Sequence, residues 1–241
     1  MLSLGVTGQK ANPAVSDDGK YLYFRVGVGS GAIYKAFRAS AADTFASASA
    51  LTDVDSSSNM RGAFPAHTSS ELFSFPFSGN MTEYTTQNEM GPWLNPHDVG
   101  FYVFGASLSA DNKRLYIIEA CPATVHGGAG ACLFTTSRGG VGLNTYTTPV
   151  VVTDSLTAQW SSMYVSKDEL RMLVSEPVAG SGGAPIAIRS RTSATADWGA
   201  PVSVDELAGD GSTRDARWSG DETEIYFVRG DGEIYFSRRN P

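Results

Sequence analysis

The chain has 241 residues, with 18 basic and 25 acidic side chains and a formal charge of −7. That balance excludes a nucleic-acid groove, because phosphate contacts need a basic patch and none is visible. No apolar run is long enough to cross a bilayer as a helix, and 26 glycines with 11% aromatic residues fit an all-β chain.

Residues 1–9 lack the basic region and full apolar core of a signal peptide, and read instead as a spare strand. A frame then begins at residues 15–24: the end of a strand, a polar turn, then an alternating strand. It recurs at 108–117, 165–174 and 217–227, with a worn copy at 65–74. The turn serines are Ser16, Ser109, Ser166 and Ser219, replaced by Ala66 in the worn copy. Two residues on come Asp18, Asp111, Asp168 and Asp221, replaced by Thr68. Then follow an aliphatic residue (Leu22, Leu72, Leu115, Met172, Ile225) and a second large one (Tyr23, Phe73, Tyr116, Leu173, Tyr226). Short polar side chains bond their own backbone and close a tight hairpin, and the pair of large residues puts one on each face of a strand. The intervals between copies, 50, 43, 57 and 53 residues, lie within or just above the spacing of propeller blades.

Each copy is followed by a strand that ends in arginine: Arg38, Arg138, Arg191 and Arg239, with Asn88 after the worn copy. Running antiparallel, that strand returns its arginine to the level of the turn. This predicts four intrablade pairs, Asp18–Arg38, Asp111–Arg138, Asp168–Arg191 and Asp221–Arg239, each lost together in the worn copy. Exposed pairs of this kind contribute ~0–1 kcal/mol, so they fix register more than they add stability.

The expected architecture is a single domain over residues 1–241, an all-β, five-bladed β-propeller of four-stranded antiparallel blades. The blades take about 10–57, 58–99, 100–153, 154–207 and 208–241. The last is one strand short, and residues 1–9 are expected to supply its outer strand, hiding edges that invite aggregation. Residues 41–50 are weakly helical by propensity, but their place in the repeat makes them a loop leading to an outer strand. ArgGlyAsp at 229–231 reads as a hairpin turn, because AspGly is a two-residue turn signal.

The repeat, with SerAspAspGlyLysTyrLeuTyrPhe at 16–24, GlyAlaIleTyrLysAlaPheArg at 31–38 and TrpGlyAlaProValSerVal at 198–204, resembles the TolB-type (WD40-like) propeller family. The resemblance covers essentially the whole chain. It implies a β-propeller of the kind often seen in bacterial envelope or secreted proteins. Its motifs are structural and carry no activity over.

Cys121 and Cys132 fall near facing ends of two adjacent strands in the third blade, where a disulfide would close a long loop. Such a bridge implies an oxidising compartment, periplasmic or extracellular. No cofactor or metal is expected: the two cysteines with His126 lack a fourth ligand, and His67 lies at the opposite end from His97 and His126. A nucleophile elbow is missing, and the glycine-rich stretch at 27–31 has no following helix to make a phosphate loop.

The candidate ligand residues are those that vary between blades at the ends where loops enter the innermost strands. They are Arg61, Trp160, Arg214 and Asp215, with Trp93, His97 and Asp98 just before the third blade. Two arginines, a tryptophan and a His-Asp pair suit an anionic or sugar-like ligand by guanidinium bonding and aromatic stacking. The leading expectation is an exported, monomeric binding or scaffold module for a protein or glycan. The alternative is a hydrolase or lyase acting on a carbohydrate or metabolite, with His97 and Asp98 as acid–base groups or Asp98 paired with Asp215.

Overall fold

Short polar turns alternating with apolar strands fold the chain into antiparallel sheets, each drawn from a continuous stretch of sequence. The computed structural model describes all residues except 29–30, 55–58, 69, 88–90, 123–130, 140–144, 154–161, 176–185, 209–212 and 239–241. The fold is an all-β, five-bladed β-propeller. Blade one holds β1 (Lys10–Val15), β2 (Tyr21–Val26), β3 (Ala32–Phe37) and β4 (Ser49–Ala50). Blade two holds β5 (Met60–Pro65), β6 (Glu71–Pro76), β7 (Thr82–Thr85) and β8 (Leu94–Asp98). Blade three holds β9 (Gly105–Leu108), β10 (Arg114–Ala120), β11 (Ala131–Ser137) and β12 (Val150–Thr153). Blade four holds β13 (Met163–Val165), β14 (Arg171–Ser175), β15 (Ile186–Ser190) and β16 (Val202–Ser203), followed by the one-turn helix α1 (Asp205–Ala208). Blade five holds β17 (Arg214–Trp218), β18 (Glu224–Val228) and β19 (Ile234–Arg238).

The chain forms two compact units, Met1–Tyr102 with Ala216–Pro241, and Val103–Asp215. In the first, Leu22 and Phe24 of blade one pack with Tyr226, Val228 and Ile234 of blade five, and Tyr23 with Leu72, Tyr84 and Trp93 of blade two. In the second, Tyr116, Ile118 and Leu133 of blade three pack with Val165, Met172 and Trp198 of blade four. The middle strand of a blade is thus apolar on both faces. That is why the two large residues after each turn, Ile225 excepted, are among the most buried in the chain.

The N-terminal segment lies along blade five. Leu2 N donates to Ile234 O at 2.8 Å, and Leu2 and Leu4 are buried beside Ile234, Tyr226 and Val228. It takes the place beside β19 through this bond and its two leucines, without a regular ladder.

The turns repeat atom for atom. Ser16, Ser109, Ser166 and Ser219 donate through Oγ to Asp18, Asp111, Asp168 and Asp221 at 2.6, 2.7, 2.5 and 2.6 Å. Each aspartate Oδ1 also accepts the backbone N–H two residues on, at 2.9–3.1 Å. The serine Oγ accepts the first N–H of the next strand at 2.9 Å in all four. The residue after the aspartate is left-handed: Gly19 (φ 72°), Asn112 (56°), Glu169 (58°) and Glu222 (58°).

Arg38 and Arg191 do not bond the aspartates expected for them. Asp18, Asp111 and Asp168 are engaged within their own turns and by neighbouring lysine or arginine side chains. Arg38 and Arg191 instead donate Nε to the carbonyl oxygens of the left-handed residues, Gly19 and Glu169, both at 2.6 Å. Their guanidinium faces stack on Phe45 at 4.5 Å and Trp198 at 4.2 Å. Their Nη2 groups then reach the preceding blade: Arg38 meets Glu224 Oε2 at 3.1 Å, and Arg191 meets Tyr116 Oη at 2.9 Å. The fourth expected pair involves Arg239, outside the described residues.

Cys121 and Cys132 form a disulfide, with Cα atoms 5.0 Å apart, where β10 gives way to the loop that returns in β11. Arg229 O accepts from Gly232 N at 2.9 Å in the turn of the last hairpin.

Two predictions follow from the turns. A Cβ at Gly220 would lie 2.3 Å from Asp17 Cα and 2.4 Å from its carbonyl oxygen, and neither backbone atom can give way. Gly220→Ala is expected to cost about 1–3 kcal/mol in chemical denaturation.

The second concerns acid. Burial raises Glu224, but bonds from Tyr226, Arg238 and Arg38 outweigh it and hold its carboxyl below 4.5. For Asp18, Asp168 and Asp221 burial is likewise outweighed by the turn's serine and backbone donors, and for Asp111 the serine bond is the leading cause; all four lie below 3.8. A carboxyl depressed on folding stabilises above its unfolded pKa and loses that contribution as pH falls through the folded value. Stability is therefore expected to be flat near neutrality and to drop as pH falls past 4.5 and then 3.8. A series of denaturation midpoints against pH checks this, and Glu224→Gln should show a smaller acid drop than the parent.

Candidate functional site

The loops that enter the first strand of a blade and those that join its second and third strands meet at the end opposite the Ser-x-Asp turns. In blades one and two this loop end carries a compact group of donors and rings. Arg61, at the start of β5, stacks its guanidinium on Phe77 at 4.3 Å and donates Nη2 to Tyr102 Oη at 3.3 Å. Tyr102 Oη in turn donates to Phe77 O at 2.8 Å, which fixes the ring and the hydroxyl together. Arg25, at the end of β2, approaches the same Phe77 ring at 5.7 Å. Asn12 Nδ2 donates to Arg61 O at 2.7 Å, tying the first strand of blade one to that of blade two.

Local backbone explains why these residues are where they are. Asn12 has φ 50°, and β1 shifts register between Ala11 and Ala14, a bulge that asparagine tolerates better than most residues. The matched position in blade two is Gly62, also at a register shift, and a Cβ there would meet Phe75 at 2.7 Å and Asn12 at 3.0 Å. The bulges let the two first strands come close enough for the Asn12–Arg61 bond. A pair of guanidinium groups offers only donors, and a planar one stacks on a ring while bonding in its own plane. The Tyr102 hydroxyl spends its one hydrogen on Phe77 O, so it is the guanidinium groups that suit acceptor-rich ligands, anionic or polyhydroxylated.

The other expected residues go elsewhere. Trp93 is 3% exposed and packs edge-on to Tyr23 at 6.3 Å, while its backbone N–H donates to Asp53 Oδ2 at 2.6 Å. It belongs to the core between blades one and two. His97 and Asp98 lie in β8, the outer strand of blade two, paired with Glu83 and Thr82. Three inter-strand steps of about 4.8 Å separate β8 from β5, so they sit roughly 14 Å from the strand that carries Arg61. Asp98 accepts from Asn80 Nδ2 at 3.1 Å and from Gly100 N at 2.7 Å, the bonds of a strand-end turn. His97 stands opposite Glu83 in the β7–β8 ladder.

Arg214 and Asp215 belong to the second unit. Asp215 is buried, has φ 58° at the position matched to Asn12, and faces Arg214 Nε at 3.7 Å. Its backbone N–H donates to Ser175 Oγ at 3.0 Å. Trp160 lies outside the described residues, as do His126 and Asn88.

Comparison of blades at the first strand alone misses Arg25, Phe77 and Tyr102. Arg25 had a signal in the sequence: the matched residues of the other copies are Phe75, Ile118, Ser175 and Val228, so an arginine is foreign to that position. Phe77 and Tyr102 are loop residues without a matched frame, and nothing in the repeat singles them out.

No protein-family model and no curated protein matches the chain. Solved structures do. TolB from Acinetobacter baumannii is 13% identical, over 95% of this chain and 54% of that one, with a TM-score of 0.52. A protein from Agrobacterium tumefaciens described as a TolB is 13% identical, over 97% and 78%, with a TM-score of 0.53. A functionally unknown protein from Desulfotomaculum acetoxidans is 10% identical, over 97% and 69%, with a TM-score of 0.51. This chain thus spans about half the length of the Acinetobacter TolB. At these identities the likeness is one of fold, the TolB-like propeller.

The placement of Trp93 and His97 is tested by stability. Trp93→Ala is expected to cost about 3–5 kcal/mol, as removal of a buried aromatic does. His97→Ala is expected to stay within about 0.5 kcal/mol of the parent in the same denaturation experiment.

Proposed function

We propose that this chain is an exported binding propeller that takes a protein or glycan ligand at the loop end of blades one and two. The observation that carries the reading is the convergence of Arg25 and Arg61 on one ring, Phe77, beside the Tyr102 hydroxyl. Blades three, four and five need no arginine at the position of Arg25 to fold, since Ile118, Ser175 and Val228 serve there. A charged, ring-stacked pair at a loop end fits recognition better than sheet construction. The Cys121–Cys132 disulfide supports export, because such bridges persist in oxidising compartments. Binding is preferred to catalysis because the group gathers donors and a ring, whereas the acid–base candidate His97 lies three strands away.

The test is a thermal-shift panel of glycans and acidic peptides on the parent and on Arg25→Ala with Arg61→Ala. A ligand at a hundredfold excess over its Kd stabilises by about 2.7 kcal/mol, enough to move the melting temperature measurably. The expected result is a shift in the parent that disappears in the double variant. A shift of equal size in both would remove the site from blades one and two, and no shift with any panel member would remove the binding reading itself.

A further inference from the structure

At the opposite, turn end of the first unit, a cavity of about 450 Å³ opens between blades one and five. Its existence follows from a departure in the repeat. At the junction of blades three and four, the left-handed turn residue is Glu169, and its carboxylate accepts from Arg114 and Tyr116 and lies 3.7 Å from Arg191 Nη2. At the junction of blades five and one, the matched residue is Gly19, with no side chain to fill that space. The carboxylate for Arg38 comes instead from Glu224 on the middle strand of blade five, which also accepts from Tyr226 at 2.5 Å and Arg238 at 2.8 Å. Gly220, Ala41 and Ala42 line the remaining walls, so the space stays open.

The open space has a definite chemistry. Its lining includes Asp17, Asp18, Asp221 and Glu224 against Arg38 and Arg238, an excess of negative charge. Glu224 is committed to its three donors, and Asp17 Oδ1 meets His67 Nδ1 at 2.7 Å. The outer oxygens of Asp18 and Asp221 are not so used. Asp221 takes its bonds through Oδ1, from Ser219 and Thr223, and among the described residues its Oδ2 accepts none. Asp18 does the same, leaving Oδ2 with only the exposed Lys20 ammonium at 3.5 Å. Both carboxyls are held below the ordinary value and so stay ionised at neutral pH. A second pocket of about 180 Å³ adjoins the first, sharing Arg38, Ala42 and Arg238, and it is walled by Leu2, Phe45, Tyr226 and Phe236. Phe236 is 39% exposed, a large ring left partly in water.

We propose that this two-part groove is a docking site for a protein segment bearing a basic side chain next to an apolar one. The ammonium or guanidinium enters between Asp18 and Asp221, and the apolar neighbour covers Phe236 and Phe45. The argument is charge complementarity on one half and uncovered ring surface on the other. This site is independent of the Arg25–Arg61 group, which lies at the other end of the blades and attracts the opposite charge.

The experiment is fluorescence anisotropy with a labelled octapeptide of alternating lysine and leucine, and a control peptide of alternating glutamine and leucine. Asp18→Asn with Asp221→Asn keeps the Oδ1 acceptor of each turn while removing the charge, and Ala42→Trp fills the shared wall of both pockets. The parent is expected to bind the lysine peptide at least about tenfold more tightly than the glutamine one. Both variants should lose that preference, while Arg25→Ala with Arg61→Ala keeps it. A lysine peptide that fails to bind the parent would overturn the proposal. So would equal binding to a correctly melting Ala42→Trp protein, or loss of binding in the Arg25–Arg61 variant. If the asparagine pair fails to fold, the Ala42→Trp result decides alone.

Discussion

Arginine at the end of the third strand holds neighbouring blades to one another, and much else in the fold is arranged around it. Arg38 and Arg191 each use the guanidinium three ways: Nε on the turn carbonyl, one face on an aromatic ring, Nη2 on the preceding blade. Only a planar, delocalised cation can do all three at once, since an ammonium has no flat face to lay on a ring and no fixed fork. Both groups are buried, so each needs a carboxylate close by, and each has one. The tryptophan of the fourth-strand motif, Trp198, gains its meaning here as the floor on which Arg191 lies.

The constraint falls on where the carboxylate is, and leaves open which residue supplies it. Glu169 reaches the cluster from the turn of blade four, and Glu224 reaches its counterpart from the middle strand of blade five. Both solutions satisfy a tyrosine hydroxyl and an arginine together. Yet they differ in what they leave behind, because a glutamate in the turn fills the junction and a glycine there does not. One electrostatic requirement is met in two ways, and the cavity between blades one and five goes with the glycine. Gly220 follows from the same crowding: blade five brings its turn against the Asp17 backbone so closely that no side chain fits.

Much of this was legible in the residues. Serine and aspartate two apart dictate a turn whose bonds are local, so the sequence alone determines its geometry, and all four turns have it. The disulfide was legible for a similar reason, since β10 and β11 are adjacent strands and Cys132 pairs in register with Glu119. For Asp18–Arg38 and Asp168–Arg191, co-occurrence in the repeat does not mean contact. Aspartate and arginine go together since the aspartate shapes the turn and the arginine binds that turn's carbonyl, with no direct bond between them. The burial of Trp93 against Tyr23 was not legible, because it depends on how blade two packs on blade one. Side-chain partners on a different blade depend on how sheets stack, and that is not written in any one copy of the repeat.

In a repeated fold, a residue that all copies share is explained by the fold, and a departure asks for a separate reason. Arg25 is such a departure. Placing a guanidinium at 9% exposure in a strand whose counterparts hold Phe75, Ile118, Ser175 and Val228 carries a desolvation cost that those blades avoid. Stacking on Phe77 recovers part of that cost, as cation–π contact does when water is excluded, but Phe77 is itself outside the repeat. The two non-repeated residues meet each other, and Arg61 with Tyr102 extends the same group toward the loop end. These four side chains form one cluster at the loop end, and neither Arg25 nor Phe77 belongs to the pattern that the blades repeat.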